Sequence, residues 1–169
     1  MQTRHARHDS ETTFAVRHAV AADRVRLAAL LSDMQAHYGS PDPPGGAAEM
    51  ARLLTRTGER LPFALIAERD GTLLGFASLS PVLFGGAFQW MLFLKDLYVT
   101  GASRGLGVGR ALLVAAARTA LEEDYCRIDW TTDATNEGAQ RLYDRLGVPR
   151  HDKRFYRLVG DDLRKFAGE

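Results

Sequence analysis

Apolar and polar residues repeat with two different periods along the chain, and the first segments predict a strand, a helix and a loop. Residues 14–18 alternate between apolar and polar side chains, which is typical of a short strand. Residues 25–37 carry apolar side chains at helical spacing, and Asp23 just before them is a candidate N-cap. The Pro- and Gly-rich residues 38–46 then predict a loop, because they interrupt the helical pattern.

A β-hairpin is predicted in the middle of the chain. Residues 61–68 and 73–80 are rich in apolar side chains, and the Asp70-Gly71 dipeptide between them is typical of a tight hairpin turn. After a looser stretch, the apolar and aromatic residues 88–99 predict a third strand that is buried on at least one face.

The remaining segments alternate between helical and extended patterns. They predict helices over 47–57, 108–123 and 136–146, a strand over 127–132 and a final strand over 154–159. The predicted order is β α α β β β α β α β. Strands joined both by hairpins and by helical crossovers predict a mixed α/β fold, with a mostly antiparallel central sheet flanked by helices.

Length and composition favour one globular domain. The 169 residues predict a single domain over residues 14–169, preceded by a flexible tail over residues 1–13. His5 and His8 in this tail have helical spacing for a metal but no further ligand nearby, so we predict no metal site.

Charge and cysteine content narrow the possible partners. With 22 basic and 21 acidic residues the net charge is +1, which argues against a nucleic-acid partner bound through counterion release. The longest apolar stretch, 111–117, is far shorter than the roughly 20 residues of a membrane span, so no membrane partner is predicted. The single Cys126 cannot form an internal disulfide, which favours a cytoplasmic location.

The sequence RGLGVGR, residues 104–110, follows a predicted strand and opens a predicted helix. Unpaired N–H groups and the positive end of the helix dipole attract anions at such a position, and glycines let a phosphate approach the backbone. A P-loop is excluded because no Lys-Ser or Lys-Thr pair occurs anywhere in the chain. The dinucleotide fingerprint fails because Arg110 or Leu112 stands where its last Gly is required.

A third pattern, Gln/Arg-x-x-Gly-x-Gly/Ala, fits Arg104, Gly107 and Gly109, although a plain tight turn remains the alternative. At these residues the chain resembles the GNAT superfamily of acetyl-CoA-dependent N-acetyltransferases. The resemblance extends over residues 14–158, because FLKDLYV, RIDWTTDATN and NEGAQRLYDRLG follow in the order and spacing of that family. It implies a GNAT-like sheet, acetyl-CoA as cofactor and a homodimer.

The resemblance also implies which residues bind coenzyme A. The loop would hold the pyrophosphate, the preceding strand end would pair with the pantetheine arm beside a bulge, and Asn136 would bind the arm or the neighbouring loop. An ordinary core strand is the alternative for the strand end. The implied cofactor-binding residues are Leu97, Tyr98, Val99, Arg104, Gly105, Leu106, Gly107, Val108, Gly109, Arg110 and Asn136.

One helix face carries the implied catalytic residue. Asn136, Gln140 and Tyr143 are spaced i, i+4 and i+7, so they share a face of the predicted helix. By resemblance, Tyr143 is the general acid that protonates the departing thiolate. A packed aromatic ring with a backbone partner for its hydroxyl is the alternative.

The sequence defines the acceptor site less closely than the cofactor site. The chain looks closest to the diamine and thialysine acetyltransferase branch, whose members carry an acidic residue where Lys95 stands here. A cation there would repel a polyamine; Lys95 can face solvent or bind a substrate carboxylate, which would favour an amino acid. The candidate acceptor-site residues, each with a purely structural alternative, are His37, Tyr38, Asp96, Asp129 and Trp130.

Together these observations predict an acetyl-CoA-dependent N-acetyltransferase that acts on a primary amine of a small molecule by direct transfer in a ternary complex. An alkylamine with a pKa near ~10.4 is neutral in only about one molecule in ~2,500 at pH 7, so a base or a water chain must remove its proton. Three alternatives stay open: a non-catalytic acyl-CoA-sensing module, an acetyltransferase of protein lysines or N-termini, and a partner-binding domain with a blocked cleft.

Overall fold

The structure is a computed structural model that describes residues 14–86 and 88–169, and the predicted tail with His5 and His8 lies outside these residues. The described part contains five strands and five α-helices. The strands are β1 (Ala15–His18), β2 (Phe63–Arg69), β3 (Thr72–Phe84), β4 (Gln89–Val99) and β5 (Ile128–Asp129). The helices are α1 (Arg24–Tyr38), α2 (Gly46–Leu54), α3 (Val108–Glu122), α4 (Glu137–Arg145) and α5 (Gly160–Ala167).

The five strands form one mixed sheet in the order β1-β2-β3-β4-β5. The first four are antiparallel to their neighbours, whereas β5 runs parallel to β4, as a helical crossover through α3 requires. The predicted mixed α/β fold with a mostly antiparallel sheet is therefore confirmed.

Alternating side chains of β2 and β3 build a separate core on each face of the sheet. On one face Leu65 and Ala77 pack with Leu112 of α3. On the other face Ile66 and Phe76 belong to the core that α1 and α2 complete. The central strands are thus buried on both faces and form a rigid base for the segments that follow β4.

The start of α1 differs from its predicted capping. Asp23 does precede the helix, but its carboxylate does not cap α1. It accepts hydrogen bonds from the Val20 N–H and from the guanidinium groups of Arg17 and Arg26 instead. Glu68 of β2 binds the same two arginines, so a four-residue charged network joins β1, β2 and α1.

The predicted final strand over residues 154–159 is wrong. Residues 148–159 of the described chain form neither strand nor helix, and Phe155 and Tyr156 are exposed. Their apolar side chains come in adjacent pairs, which would place one of each pair on either side of a strand. Helix α5, which we did not predict, follows with Asp161 and Asp162 in its first turn and basic residues in its last, an order that the helix dipole favours.

The chain divides into two compact units, one ending at Asp133 and one of Ala134–Glu169. The prediction of a single domain stays a prediction. No helix among the described residues is long and apolar enough to cross a membrane.

Candidate functional site

The loop between β4 and α3 presents unpaired backbone donors. Its first intrahelical hydrogen bond runs from the Ala111 N–H to the Gly107 carbonyl, at 3.0 Å. The N–H groups of Val108, Gly109 and Arg110 therefore have no acceptor within the helix. No side chain of the described residues caps this end either. Three donors thus point out of the start of α3.

The space around these donors is open and electropositive. Gly105 and Gly107 both have a φ of 81°, a left-handed conformation that glycine adopts without strain. No atom lies within 4 Å of the position that a Cβ would take on either residue. The exposed Arg104 and Arg110 flank the loop, and the first turn of α3 holds no acidic residue. An anionic group fits this site, because backbone N–H groups, helix dipole and side-chain charge all favour it.

The last part of β4 has an open edge. Pairing between β4 and β5 is limited to Leu92 with Ile128 and Phe93 with Asp129. From Leu94 to Val99, β4 has a strand partner only on its β3 side within the described residues. Backbone groups on the other side are available to an extended ligand, which can add to a sheet edge as a further strand would.

A β-bulge interrupts β4 near the start of this open segment. Ser78 pairs with Asp96 and Leu79 pairs with Leu94, so Lys95 is the extra residue. The resemblance implied a bulge at residues 97–99, and the structure corrects its position to Lys95. The Lys95 side chain is exposed and forms no ion pair with the residues that the structure describes.

The bulge determines which peptide groups face the open edge. The Leu92 N–H points to β5, where it donates to the Arg127 carbonyl, whereas the Thr100 N–H points to β3 and donates to the Leu74 carbonyl. N–H groups point alternately to the two sides of a regular strand, so Leu92 and Thr100, which are eight residues apart, would point to the same side. They point to opposite sides because the bulge lies between them. Because the Thr100 N–H points to β3 and the direction alternates, the N–H groups of Val99 and Leu97 point away from β3, toward the open edge.

A glycine on β3 fixes the spacing at this point. Gly75 pairs with Val99, and a Cβ on Gly75 would lie 2.5 Å from the Tyr98 carbonyl oxygen. It would also meet the Val108 side chain of α3 at 3.3 Å. Only glycine therefore lets β3, the end of β4 and the start of α3 pack this closely.

Tyr98 is anchored on the α1 face of the sheet. Its ring is 4% exposed, and its hydroxyl donates a hydrogen bond of 2.6 Å to the Asp33 carboxylate of α1. Burial, and then this hydrogen bond, raise the pKa of Tyr98 to about 12. The hydroxyl accordingly remains a donor throughout the physiological pH range.

Helix α1 ends beside the same strand and loop. The His37 ring lies 5.0 Å from that of Tyr38 and 5.9 Å from that of Tyr98, centroid to centroid. Nη2 of Arg104 is 3.0 Å from His37 Nε2, and Nε of Arg104 donates to the Val99 carbonyl at 3.4 Å. Two predicted acceptor residues thus meet two predicted cofactor residues at one place.

Sequence reasoning missed Asp33 in this cluster. The available signal was its position one turn before His37, since residues i and i+4 share a helix face. Its partner Tyr98 is 65 residues away in the chain, so their contact is a property of the fold and not of the local pattern.

The other predicted acceptor residues have different surroundings. Asp96 lies on the α1 face of β4, like Tyr98 two residues later, and its carboxylate accepts a 2.5 Å hydrogen bond from Ser78. Asp129 of β5 forms a 2.9 Å ion pair with Arg127. Trp130 packs against the core on the α3 side of the sheet. Of these three, Asp96 shares a sheet face with the cluster at the end of α1.

Arg127 was also missed by sequence reasoning. Its guanidinium lies 3.7 Å above the Phe84 ring, and its buried Nε has no hydrogen-bond partner within the described residues. With the Asp129 ion pair, these contacts hold Arg127 at the start of β5.

The second unit contains α4 with the predicted catalytic face. Asn136 is the N-cap of this helix, and its side-chain oxygen accepts the Ala139 N–H at 3.1 Å. Gln140 donates to the Ala134 carbonyl at 2.9 Å, and the backbone carbonyl of Tyr143 accepts the Val148 N–H at 3.1 Å. Asn136 thus has a structural role that fixes the first turn of α4.

Comparison with known proteins identifies the family. The model of the acetyltransferase (GNAT) family matches residues 27–148. An uncharacterized N-acetyltransferase of Bacillus subtilis, YhfO, is 29% identical over 132 residues, which cover 78% of this chain and 87% of that protein. A D-amino-acid N-acetyltransferase of Saccharomyces cerevisiae is 33% identical over 90 residues, 53% of this chain and 55% of that protein.

A solved structure agrees on the fold. An integron cassette protein from the mobile metagenome of V. cholerae superposes with a TM-score of 0.77 at 24% sequence identity. The superposition covers 93% of this chain and 99% of the other. The fold and the family match lead to one assignment: the chain belongs to the GNAT family of acetyltransferases and is an acetyl-CoA-dependent N-acetyltransferase.

Proposed function

We propose that the protein transfers the acetyl group of acetyl-CoA to the primary amine of an amino acid, a small molecule that also carries a carboxylate. The transfer is direct and takes place in a ternary complex. The observation that carries the choice of acceptor is Lys95, an exposed cation at the bulge where the open edge of β4 begins.

The loop and the open edge are suited to the two halves of coenzyme A. We assign the pyrophosphate to the N–H groups of Val108, Gly109 and Arg110, since they are unpaired donors at the positive end of α3. We assign the amides of the pantetheine arm to the peptide groups of Leu97 and Val99, because these face the open edge. The other residues of the proposed site, Tyr98, Arg104, Gly105, Leu106 and Gly107, shape the strand end and the loop.

The chemistry requires one proton donor and one proton acceptor. Bound acetyl-CoA supplies the acetyl group as a thioester, whose carbon–sulfur bond breaks as the carbon–nitrogen bond to the amine forms. We propose that Tyr143 gives its phenolic proton to the departing thiolate, a role that rests on the family resemblance. Asn136, as the N-cap of α4, fixes the helix that carries Tyr143.

The amine, protonated at neutral pH, must lose a proton before it attacks; the second proton, lost as the amide forms, restores the Tyr143 phenol. Asp129 already forms an ion pair with Arg127. Asp96 lies beside the bulge on the α1 face of β4. We therefore propose that Asp96, directly or through water, receives the proton. Its hydrogen bond from Ser78 holds the carboxylate in place.

The amino-acid acceptor agrees with two further facts. A diamine would bring a second ammonium group toward Lys95, which like-charge repulsion disfavours. One relative, 33% identical over about half of each chain, acts on D-amino acids according to its name. The remaining candidates for acceptor contacts are His37 and Tyr38 at the end of α1 and Trp130, which directly follows β5.

Matched acceptors test this proposal. Thiol release from acetyl-CoA is measured with D- and L-amino acids, with the corresponding amino-acid amides, which keep the amine but lack the carboxylate, and with diamines. We expect amino acids to be preferred over their amides. Lys95→Ala should raise the KM for the preferred amino acid about tenfold, the order expected for one hydrogen bond to a charged group, and leave the amide unaffected.

Lys165→Ala serves as the control, because it removes an exposed lysine from α5. If amides and amino acids react equally well, or if Lys95→Ala and Lys165→Ala behave alike, the proposed carboxylate contact is wrong. A preference for diamines would instead favour the diamine branch of the family.

We also propose that the protein acts in the cytoplasm as a homodimer. The single Cys126 supports a reducing compartment, and the dimer rests on the family resemblance. Light scattering on the purified protein measures the oligomeric state, and a monomer at micromolar concentration would contradict the dimer.

A further inference from the structure

The C-terminal half of α1 contacts the two segments to which we assign coenzyme A. Asp33 and His37 are one helical turn apart and therefore lie on the same side of α1. Asp33 contacts Tyr98 at the end of β4, and His37 contacts Arg104 at the start of the loop. Each residue thus holds a different segment of the proposed cofactor site.

The contact of Asp33 fixes the end of β4. Tyr98 is the only one of the three strand-end residues whose side chain is buried on the α1 face, beside the Phe76 ring at 6.2 Å. Its hydroxyl would be an unsatisfied buried donor without the Asp33 carboxylate, which costs free energy. The peptide groups of Leu97 and Val99, on either side of Tyr98, keep their direction only if Tyr98 stays in place.

The contact of His37 fixes the first residue of the loop. Arg104 reaches back to the Val99 carbonyl and to the His37 ring. A guanidinium has no acceptor atom, so the ring nitrogen of His37 must accept this hydrogen bond. The two contacts hold Arg104 at the junction between the open edge and the loop, where the pantetheine arm and the pyrophosphate would meet.

We propose that Asp33 and His37 are positioning residues for acetyl-CoA, Asp33 for the pantetheine half and His37 for the pyrophosphate half. This inference rests on the proposed cofactor site. It assigns to the end of α1 a role in cofactor affinity, in addition to the acceptor contacts proposed for His37 and Tyr38.

Two ligands separate the two roles. One is coenzyme A, and the other is its nucleotide half, which keeps the pyrophosphate but lacks the pantetheine arm. Calorimetry gives the Kd of each ligand for the wild type and for each variant, and the melting temperature of each variant reports on the fold. No acceptor is needed, so the experiment does not depend on the acceptor's identity.

For Asp33→Ala we expect the Kd of coenzyme A to rise about tenfold, because coenzyme A must then order the strand end that the lost hydrogen bond held in place, while the Kd of the nucleotide half stays within twofold. Tyr98→Phe should give the same result. The double variant Asp33→Ala/Tyr98→Phe should have no larger effect on the Kd of coenzyme A than either single variant. Asp33→Asn should restore most of the affinity, because its side-chain oxygen still accepts the Tyr98 hydroxyl.

His37→Ala should weaken both ligands by a similar factor, about fivefold, because it releases Arg104 at the pyrophosphate end. The control is Glu49→Ala, which removes an exposed carboxylate and its Arg52 ion pair from α2. It should bind both ligands like the wild type.

Wild-type affinities in Asp33→Ala and His37→Ala would overturn this inference and leave the proposed function intact. Equal loss of both ligands in Asp33→Ala, or an Asp33→Asn variant as weak as Asp33→Ala, would also overturn it, because a general loosening of the fold would then explain the effect. If the wild type binds neither ligand, the proposed cofactor site itself is wrong.

Discussion

Individual side chains at the site differ in chemistry because their hydrogen-bond partners differ. Tyr98 lies at the strand end, but its proton is directed at Asp33 and burial raises the pKa of its hydroxyl to about 12. Such a phenol is a poor donor to a thiolate. Asp129 is similarly committed to Arg127. Neither Tyr98 nor Asp129 is therefore proposed for proton transfer: the proposed acid is Tyr143, by family resemblance, and the proposed proton acceptor is Asp96.

Tyr143→Phe tests the general acid. We expect kcat to fall at least about 100-fold, the low end of the range for losing a positioned proton donor, because the thiolate must then leave unprotonated. The Kd of coenzyme A should stay within twofold. Tyr156→Phe is the matched control, since Tyr156 is exposed and also loses one hydroxyl. A Tyr143→Phe enzyme with normal turnover would remove this residue from the mechanism.

The sequence indicates candidate residues for the site, but it does not show which partners their side chains have in the fold. Asp23 was predicted as a helix cap from its position before α1, yet its carboxylate binds Arg17 and Arg26. Asp33 was not predicted, because the sequence does not show which residue Tyr98 faces across the sheet. The Asp33 contact joins segments that are distant in the chain. At Asp23, the two arginines and the start of α1 compete for one carboxylate.

At the scale of elements, the proposed site is made by the end of one strand and the start of the next helix. Gly75 permits the close packing of β3, β4 and α3, and the bulge at Lys95 turns the peptide groups of the last β4 residues toward the open edge. The Gly-rich loop then connects this edge to the unpaired donors of α3.

Gly107→Glu tests the loop. The new side chain would place bulk and a negative charge where we assign the pyrophosphate, so we expect the Kd of coenzyme A to rise at least about 100-fold. The left-handed backbone should cost about 1–2 kcal/mol of the free energy of unfolding, which leaves the domain folded.

Gly71→Glu is the matched control for that variant. Gly71 has a φ of 76° in the β2–β3 turn and equally open space, so it adds the same charge and the same strain away from the loop. Tight coenzyme A binding by Gly107→Glu, or equal loss in both variants, would contradict the loop assignment.

Most element positions could be predicted from periodicity and turn residues, because those signals are local. The helix predicted over 108–123 is α3, and the helix predicted over 136–146 is α4 with Asn136 as its cap. The bulge at Lys95 could not be located, because a bulge is a mismatch between two paired strands. The final strand was wrongly predicted from apolar content without strict alternation.

At the scale of the whole molecule, stability depends on a core on each side of the sheet and on the charged network that joins β1, β2 and α1. Asp23 is the buried member of that network, with a side chain 1% exposed. The Arg17 guanidinium, with further help from the Val20 N–H and Arg26, holds the pKa of Asp23 well below its ordinary value of 3.8.

This shift predicts a loss of stability in acid. Because the folded state favours the ionised carboxylate, the unfolded chain binds the proton first, and the free energy of unfolding decreases as pH falls below about 4. Asp23→Asn should lower the free energy of unfolding at pH 7 by about 2–3 kcal/mol. This is less than the loss expected on breaking a fully buried ion pair, because Arg17 and Arg26 are more than one third exposed.

Urea denaturation between pH 3 and pH 7 measures this effect, with Asp161→Asn on the exposed end of α5 as the control. The wild type should lose more stability than Asp23→Asn over this range. Parallel pH profiles for the two proteins would show that Asp23 does not contribute to the acid sensitivity.

We propose that this GNAT acetyltransferase acetylates the amine of a carboxylate-bearing small molecule at the site formed by the β4 edge and the following loop. The most direct test is thiol release from acetyl-CoA with and without amino acids, compared with their amides. We expect release that depends on the amine, is strongest with free amino acids and is lost in Gly107→Glu. Thiol release that is independent of any amine, or absent with every amine while coenzyme A still binds, would contradict it.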